Sequence, residues 1–413
     1  MKKILSGFLV LTFICIPVQH SSASNAAVLD QQIVALQTYI ERNYRSHEDK
    51  RLSVAQLRTI VADAAGWMVR AQEDNGHFAY EYDVYHGTYL NDDHIVRQGG
   101  ALYELGELAR FDAENTLGTH EAIESAAAYF QSLSKTDAVE DVSFRCITES
   151  LSSDTCLLGA TSLAVIGLLG YVEAVPEKGD VYDDLIDDYM AYIMAMKKDG
   201  EGYRDKFHID SSIVLTKESS FSNGEALLAL VRYYQHKPSK EVKEMIDETF
   251  TYLVAKEEME NPLYLWIMAA LKDMQKLWPS AAYVRYAQTF TEFKRAQLSR
   301  IHYTQKNYCA STEGLASAYS VLEGTVSSYE LQRLRKEIDF WNMHNSVLKI
   351  SSVDAYRLID DENGMRLVVT PDLATAHGGF LTSGSVLTQR IDYTQHCVSA
   401  YLQTLIAIEN AAL

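Results

Sequence analysis

An aspartate and a histidine near the carboxyl end of the chain have the spacing of an acid–base pair. Asp392 and His396 are four residues apart in an apolar, helix-forming segment, so both side chains lie on one face of that helix. A carboxylate beside an imidazole orients the ring and favours its charged form, which suits the pair to proton transfer. Arg390 and His377 come shortly before the pair and extend the candidate site. The alternative is a helix cap, because Asp392 and Gln395 have nearly the spacing of a capping box.

Two glutamates occupy similar places at the predicted starts of other apolar helices. A buried carboxyl at Glu225 can act as a general acid with a raised pKa, although Ser222 and Glu225 also have capping-box spacing. Glu313 has a weaker capping explanation. The candidate catalytic residues are therefore Glu313, Asp392, His396 and Glu225.

A segment between residues 80 and 98 combines aromatic, acidic and basic side chains as sugar-binding sites do. Tyrosine rings can cover the apolar face of a sugar, and polar groups can bind its hydroxyls. The Arg97 guanidinium can hold a carboxylate with two hydrogen bonds. In the alternative interpretation, Asp92 or Asp93 caps the following helix and pairs with Arg97. The candidate substrate-binding residues are Tyr82, Asp83, Asp93, His94, Arg97, Gln98, His377 and Arg390.

The elements that must position these residues are helices of two alternating kinds. One kind is amphipathic and highly charged, which is typical of a helix on the outside of a protein. These segments are 53–72, 120–134, 181–197, 239–256, 280–298 and 327–343. The other kind is more uniformly apolar and rich in small residues, which predicts burial. These segments are 96–110, 158–172, 223–235, 262–274, 312–323 and 393–409.

Strict alternation of six outer and six inner helices predicts an all-α protein made of six helical hairpins. Leu367–Thr370 is the main candidate for a short strand. Hairpins stacked side by side close into a ring when the sixth inner helix packs against the first. The residues around Arg97 would then meet those around His396 at one mouth of the ring.

This alternation resembles the six-hairpin (α/α) toroid superfamily, which includes glycoside hydrolases, polysaccharide lyases and sugar epimerases. The Gln72-Glu73-Asp74-Asn75-Gly76-His77-Phe78 segment also resembles the glycine-aromatic repeats of terpenoid-cyclase toroids, with Phe78 where tryptophan is usual. The resemblance implies a fold with a central cavity. It favours an enzyme that hydrolyses a glycan, or else eliminates or epimerises it. The alternatives are a non-catalytic ring that binds a glycan or an envelope partner, and an isoprenoid-type cavity.

The first 26 residues have the composition of a secretory signal peptide. Lys2 and Lys3 precede an apolar stretch, and small residues follow it at 21–26. This stretch is shorter than the roughly 20 residues that a membrane span requires, and no later stretch reads as a span. We therefore expect a periplasmic or secreted protein in which residues 27–413 form one toroid domain.

Four cysteines remain after the predicted cleavage. An even number in an exported chain indicates disulfide bonds. Of the three possible pairings, Cys146 with Cys156 is the simplest, because it closes one short polar loop. Cys309 and Cys397 would then form a long-range bond. The alternative is zinc, since Cys309, Cys397 and His396 resemble the two-cysteine, one-histidine site of lanthionine-cyclase toroids, although here the histidine precedes the cysteine.

The charge and the remaining motifs restrict the possible partners. A formal charge of -19 on 413 residues argues against nucleic acid and anionic membranes, since both attract lysine and arginine. The acidic run at 183–188 is similar to the magnesium motif of terpenoid synthases, but it lies on a predicted outer helix and is expected to be a solvated face. No phosphate-binding or dinucleotide-binding loop is evident. We expect a carbohydrate ligand, no cofactor and no metal.

Overall fold

The structure is a computed structural model, and it describes residues 30, 32–37, 51–139, 141–209, 213–214, 218–256, 259–299, 306–361 and 364–410. The predicted signal peptide lies outside these residues. Within the described ranges, no helix has both the length and the apolar character that crossing a membrane requires.

Twelve long helices make up most of the described chain, and they alternate between an outer and an inner layer. The outer helices are α1 (Val54–Arg70), α3 (His120–Ser132), α5 (Gly179–Ala195), α7 (Lys240–Ala255), α9 (Ala281–Leu298) and α11 (Ser328–Ser346). The inner helices are α2 (Ile95–Phe111), α4 (Leu158–Ala174), α6 (Ser220–His236), α8 (Asn261–Leu277), α10 (Cys309–Leu322) and α12 (Ile391–Asn410). A short helix, Leu373–Ala376, and a single 3-10 turn, Pro176–Lys178, lie between them.

The distribution of apolar residues explains which helices lie inside. In α4 every residue from Leu158 to Val172 is buried, so this helix has protein on all sides. In α7 the buried side chains form a single stripe at three- and four-residue spacing, and the other faces meet solvent. Complete capping boxes, Ser53 with Gln56 and Ser327 with Glu330, fix the starts of the outer helices α1 and α11.

The inner helices form a closed ring. Each packs against the next along the chain, and α12 packs against both α10 and α2. Glycines let α2 and α4 approach closely, because a β-carbon at Gly106 would lie 2.2 Å from the carbonyl oxygen of Gly167. The predicted all-α, six-hairpin toroid is thereby confirmed.

Short strands occupy the connections that lead from outer to inner helices, so they all lie at one mouth of the ring. They are β1 (Glu81–Asp83), β2 (Thr88–Leu90), β3 (Ser134–Val139), β4 (Val142–Ile147), β5 (Thr155–Leu157), β6 (Lys206–His208), β7 (Ile213–Val214), β8 (Tyr356–Asp361), β9 (Gly364–Val369) and β10 (Thr388–Arg390). They pair as two three-stranded sheets, β10–β1–β2 and β5–β6–β7, and two hairpins, β3–β4 and β8–β9. The predicted strand at 367–370 overlaps β9. The others were not predicted, since strands this short depend on their tertiary partners.

Three of these connections share one local structure. A glycine with positive φ precedes a buried aromatic residue, whose amide donates a hydrogen bond to the fourth residue of the next inner helix. The glycine, aromatic and acceptor residues are Gly76, Phe78 and Gln98; Gly200, Tyr203 and Asn223; and Gly378, Phe380 and Thr394. The glycine-aromatic pattern in the sequence therefore fixes how each connection enters its inner helix.

Both expected disulfide bonds are present. Cys146 pairs with Cys156 and joins β4 to β5. Cys309 pairs with Cys397 across 88 residues, and it joins the start of α10 to α12. Because both thiols are consumed, Cys309 and Cys397 cannot ligate zinc, and the zinc alternative is wrong.

Candidate active site

His396 lies in the second turn of α12 and forms a hydrogen-bonded pair with a glutamate of α10. Its Nδ1 atom is 2.9 Å from Oε2 of Glu313, and Oε1 of Glu313 accepts a 2.9 Å hydrogen bond from the hydroxyl of Ser399. The sequence predicted a pair of His396 with Asp392 on the same helix. That pairing is wrong: the carboxylate that holds the imidazole is Glu313, which comes from the neighbouring helix.

The charges around His396 shift its pKa. Burial disfavours the charged imidazole, but the hydrogen bond and the negative charge of Glu313 outweigh this effect and raise the pKa of His396 above its usual value. The imidazole side chain is 19% exposed, whereas that of Glu313 is only 1% exposed. His396 is therefore the member of the pair that a molecule entering from solvent would contact.

Glu225 is buried in the second turn of α6, across the ring from α12. Burial raises the pKa of Glu225 to about 8, and the nearby charge of His396 only partly opposes this. The carboxyl is therefore protonated at neutral pH. The capping alternative for Glu225 is wrong, because α6 begins at Ser220 and both Ser222 and Glu225 lie within the helix. A β-carbon at Gly159 would lie 2.5 Å from Oε2 of Glu225, so the glycine makes room for this carboxyl.

Asp392 lies one turn closer to the mouth than His396 and binds two arginines. Arg390 donates two hydrogen bonds to its carboxylate, at 3.0 and 2.6 Å, and Nε of Arg97 is 3.2 Å from Oδ2. Both guanidinium groups lie near the ring of Tyr80, at 5.3 Å for Arg97 and 5.2 Å for Arg390. The two ends of the ring therefore meet as predicted. The capping interpretations are wrong here. The residue that precedes α2 is His94 and not Asp92 or Asp93, and Arg97 pairs with Asp392, whose oxygens bind arginine.

Two predicted substrate-binding residues hold the first glycine-aromatic connection instead. The amide of Gln98 donates to the Phe78 carbonyl at 2.8 Å and to Oδ1 of Asp93 at 2.7 Å. Oδ2 of Asp93 lies 3.2 Å from Nε2 of His77. The hydrogen bond of Asp93 raises the pKa of His77, although burial opposes it. Gln98 and Asp93 are thus occupied by contacts within the protein.

His94 has a different environment, immediately before the first residue of α2. Its side chain makes no capping hydrogen bond. Burial, and to a lesser extent the charge of Arg97, lowers its pKa, so the imidazole is neutral at neutral pH. His94 therefore remains a candidate ligand contact at the mouth.

The other three predicted residues of this group support the loops. The Tyr82 ring is buried and packs edge-on against Tyr89, with centroids 4.9 Å apart. Oδ1 of Asp83 accepts hydrogen bonds from two backbone amides of the turn that follows β1, and its carboxylate also contacts His86. His377 lies beside the outer helix α1, with Nε2 3.9 Å from Oδ2 of Asp63. None of these contacts points to the inner wall.

The structure adds three inner-wall residues that were not predicted. The Trp266 ring of α8 lies 6.1 Å from that of His396 and 5.5 Å from that of Tyr103. Glu104 is fully buried, and neither of its oxygens has a hydrogen-bond partner within the described residues. The Ser399 hydroxyl donates to Glu313. Burial raises the pKa of Glu104 far above its usual value, so this carboxyl is also protonated. In the structure Trp266 is the sixth residue of α8, as Glu225 is of α6 and His396 is of α12, so the three lie at one level of the ring. The helix starts predicted at 223, 262 and 393 do not align them, so no signal in the sequence identified Trp266.

A metal centre finds no support in the described residues. No group of three or more histidine, cysteine, aspartate or glutamate side chains there has the arrangement that could hold a metal ion. The acidic run at 183–188 lies on the outer helix α5, where Asp183 and Asp187 both pair with Lys237 of α6. It is a set of surface ion pairs, as expected for an outer helix.

Comparison with known proteins supports the fold. No protein-family model matches the chain, and no curated protein is significantly similar to it in sequence. Among solved structures, a D-mannose isomerase matches with a TM-score of 0.58 and 13% identity, over 88% of this chain and 99% of the isomerase. The cellobiose 2-epimerase from Spirochaeta thermophila matches with a TM-score of 0.55 and 12% identity, over 94% of this chain and 100% of the epimerase.

A third similar structure is a glycosidase with its ligand. It is an inactive variant of a family 76 α-1,6-mannanase from Salegentibacter sp., in complex with α-1,6-mannotriose. In this variant two neighbouring aspartates are replaced by asparagine. It matches with a TM-score of 0.56 and 10% identity, over 85% of this chain and 99% of the mannanase. At such low identities these similarities establish the (α/α) toroid fold.

Proposed function

We propose that this protein is an enzyme that processes a saccharide by proton transfer on the inner wall of its toroid. The observation that carries the proposal is the His396–Glu313 pair, which faces the protonated carboxyl of Glu225 within one ring. None of these groups caps a helix, so they are not explained by the folding of the helix ends. The similar structures are named for mannose isomerisation, cellobiose epimerisation and mannan hydrolysis, which favours a sugar as the substrate.

The two principal alternatives predict different centres. A non-catalytic ring would have aromatic residues and helix caps at its mouth, without opposed acid and base groups. An isoprenoid-type cavity would be apolar and lined by aromatic rings. The charged and protonated groups at Glu225, Glu313 and His396 are costly to bury and fit neither alternative.

Epimerisation or isomerisation is the reaction that this arrangement supports best. Glu313 orients His396, whose free imidazole can remove a proton from the carbon next to a sugar carbonyl. Glu225 can donate its proton to the carbonyl oxygen, which gives an enediol. The protonated His396 then returns a proton to carbon while the Glu225 carboxylate removes a hydroxyl proton of the enediol, so both groups regain their starting protonation states. His396 acts as a base only above its pKa, and Glu225 acts as an acid only below about pH 8.

Hydrolysis, which the sequence favoured slightly, is the second candidate. The neutral Glu225 carboxyl has the protonation state of a glycosidase general acid. The second carboxylate is less suitable, since both oxygens of Glu313 and both of Asp392 are engaged in hydrogen bonds or ion pairs. Hydrolysis through Glu225 would not require a deprotonated His396, so its rate should stay high on the acid side of the histidine pKa.

Substrate contacts are proposed at the mouth. The Arg97 side chain is 39% exposed and lies one helical turn above His396, where it can donate to sugar hydroxyls. His94, whose charged neighbours include Arg97 and Asp392, borders the same opening. The disulfides support an oxidising compartment, and with the predicted signal peptide we propose export to the periplasm or the medium.

The experiment compares the wild type with His396→Asn and Glu225→Gln on D-mannose, D-glucose, cellobiose and α-1,6-mannotriose. Proton NMR in D2O detects exchange at the carbon next to the carbonyl, and release of reducing ends detects hydrolysis. Each substitution should reduce turnover at least 100-fold. His236→Asn, at the far end of α6, is the matched control and should retain activity within two-fold. A wild type inactive on every sugar, or full turnover by His396→Asn, would contradict the proposal.

A further inference from the structure

The end of the ring opposite the mouth is closed by buried ion pairs. Arg232 of α6 lies 3.0 Å from Glu107 of α2 and 2.7 Å from Asp273 of α8, and all three side chains are at most 8% exposed. Helix α4 lies between α2 and α6 in the ring, so Arg232 reaches across the interior and not along the wall. Lys272 of α8 likewise reaches Gln403 of α12, at 2.7 Å, past the intervening α10.

These contacts form one layer. Glu107, Arg232, Asp273 and Gln403 are each the thirteenth residue of their helix, whereas Glu225 and His396 are each the sixth of theirs. With a rise of about 1.5 Å per residue, this floor lies about 10 Å below the proposed acid–base groups. The ion pair between Arg232 and Glu107 and the hydrogen bond between Lys272 and Gln403 cross the ring, and they hold its inner helices at fixed separation.

Large side chains fill the space between the floor and His396. Tyr103 and Glu104, the ninth and tenth residues of α2, occupy this region and are 2% and 0% exposed. Trp266 lies beside His396 at the level of the sixth residues and is 4% exposed. Exposure is higher nearer the mouth, where the side chains of His396 and Arg97 are 19% and 39% exposed. Solvent therefore reaches the acid–base groups from the mouth, and a ligand must enter and leave through the same opening.

We propose that the enzyme acts on the terminal unit of a saccharide, or on a free small sugar, and not on the interior of a polysaccharide. The inference rests on the proposed function and specifies its substrate class. His396 lies about 7 Å below the first residue of α12, a depth comparable to one sugar ring. If an internal sugar unit were placed beside His396, the saccharide on both sides of that unit would have to enter this recess. The closed floor leaves no exit for one of those two ends.

The test uses manno- and cello-oligosaccharides of two to six units with free or blocked ends. Reduction to the alditol blocks one end, and a 4,6-O-ethylidene group blocks the other. Reduction also removes the carbonyl that epimerisation needs, so the doubly blocked chains are assayed for cleavage only. Blocking both ends should lower cleavage at least 50-fold, and any cleavage products should appear one terminal unit at a time. Turnover of doubly blocked chains at the rate of free ones, or early fragments of intermediate length, would overturn the inference while leaving the proposed function intact.

A binding experiment that needs no turnover completes the test. Saturation-transfer NMR with Glu225→Gln and a mannotetraose should place the strongest signals on one terminal unit. Equal saturation along the whole tetrasaccharide would contradict terminal recognition. If the wild type neither binds nor converts any member of the series, the proposed function fails, and the terminal preference fails with it.

Discussion

Glu225 makes a quantitative prediction about stability, because its carboxyl is neutral in the folded protein and charged in the unfolded chain. Its pKa is about 8 when folded and about 4.5 when unfolded. A raised carboxyl pKa means that the folded state binds more protons, so this group lowers the free energy of unfolding as pH rises from about 4.5 to 8. Below pH 4.5 both states are protonated and the effect disappears.

The magnitude follows from these two pKa values. Between pH 5 and pH 7, the shift at Glu225 corresponds to a loss of ~2.5 kcal/mol. For a domain of this size, that equals a decrease of about 3 °C in the midpoint of thermal unfolding. Glutamine cannot ionise, so Glu225→Gln should remove this part of the pH dependence.

The assay is thermal unfolding by circular dichroism at pH 5 and pH 7 for the wild type, Glu225→Gln and Glu241→Gln. Glu241 is exposed in the first turn of the outer helix α7 and serves as the matched control. The wild type and the control should lose about 3 °C more than Glu225→Gln over this pH interval. Equal losses in all three proteins would mean that Glu225 ionises freely, and its assignment as a neutral acid would be refuted.

Three further predictions concern the scaffold and the acid–base pair. Replacing both cysteines of the Cys309–Cys397 disulfide, which spans 88 residues, should lower the free energy of unfolding by ~4–5 kcal/mol. Replacing those of the Cys146–Cys156 disulfide, which spans 10, should lower it by ~3 kcal/mol. Denaturant unfolding measures both losses, and equal losses would contradict this prediction. Gly378→Ala should destabilise the protein by at least ~2 kcal/mol, because φ is positive and the new β-carbon would lie 2.1 Å from the Asp63 carbonyl oxygen. Gly118→Ala is the matched control, because Gly118 also has positive φ but an added β-carbon there would meet no other atom. It should lower the free energy of unfolding by about 1 kcal/mol in the same measurement. Glu313→Gln should lower the pKa of His396, and an unchanged or higher NMR titration midpoint would exclude Glu313 as its partner.

The architecture was largely predictable from the sequence because inner and outer helices bury different fractions of their surface. A helix such as α4, apolar on every side, has no stable position on the outside of a protein. Ring closure followed from the number of hairpins, and it correctly placed Arg97 beside Asp392. The even number of cysteines and the short loop between Cys146 and Cys156 predicted the two disulfides.

The partners within the site were less predictable, since they depend on contacts between helices. Sequence spacing brings Asp392 and His396 to one helix face, but it does not reveal that two arginines bind Asp392 while Glu313 reaches His396 from α10. Gln98 illustrates the same difficulty. It has the residue type of a sugar-binding group, yet its amide is used to hold Phe78. Trp266 and Glu104 were missed because nothing within a single apolar helix distinguishes an inward-facing position.

Helix α12 has a consequence for biosynthesis, because it follows the other eleven long helices of the described chain and is also the one that closes the ring. It carries His396 and Asp392, and a disulfide ties it to α10. A nascent chain whose α12 segment has not yet left the ribosome therefore has neither a closed toroid nor a complete proton-transfer pair. Turnover would thus report that α12 has been synthesised and has docked against α10 and α2.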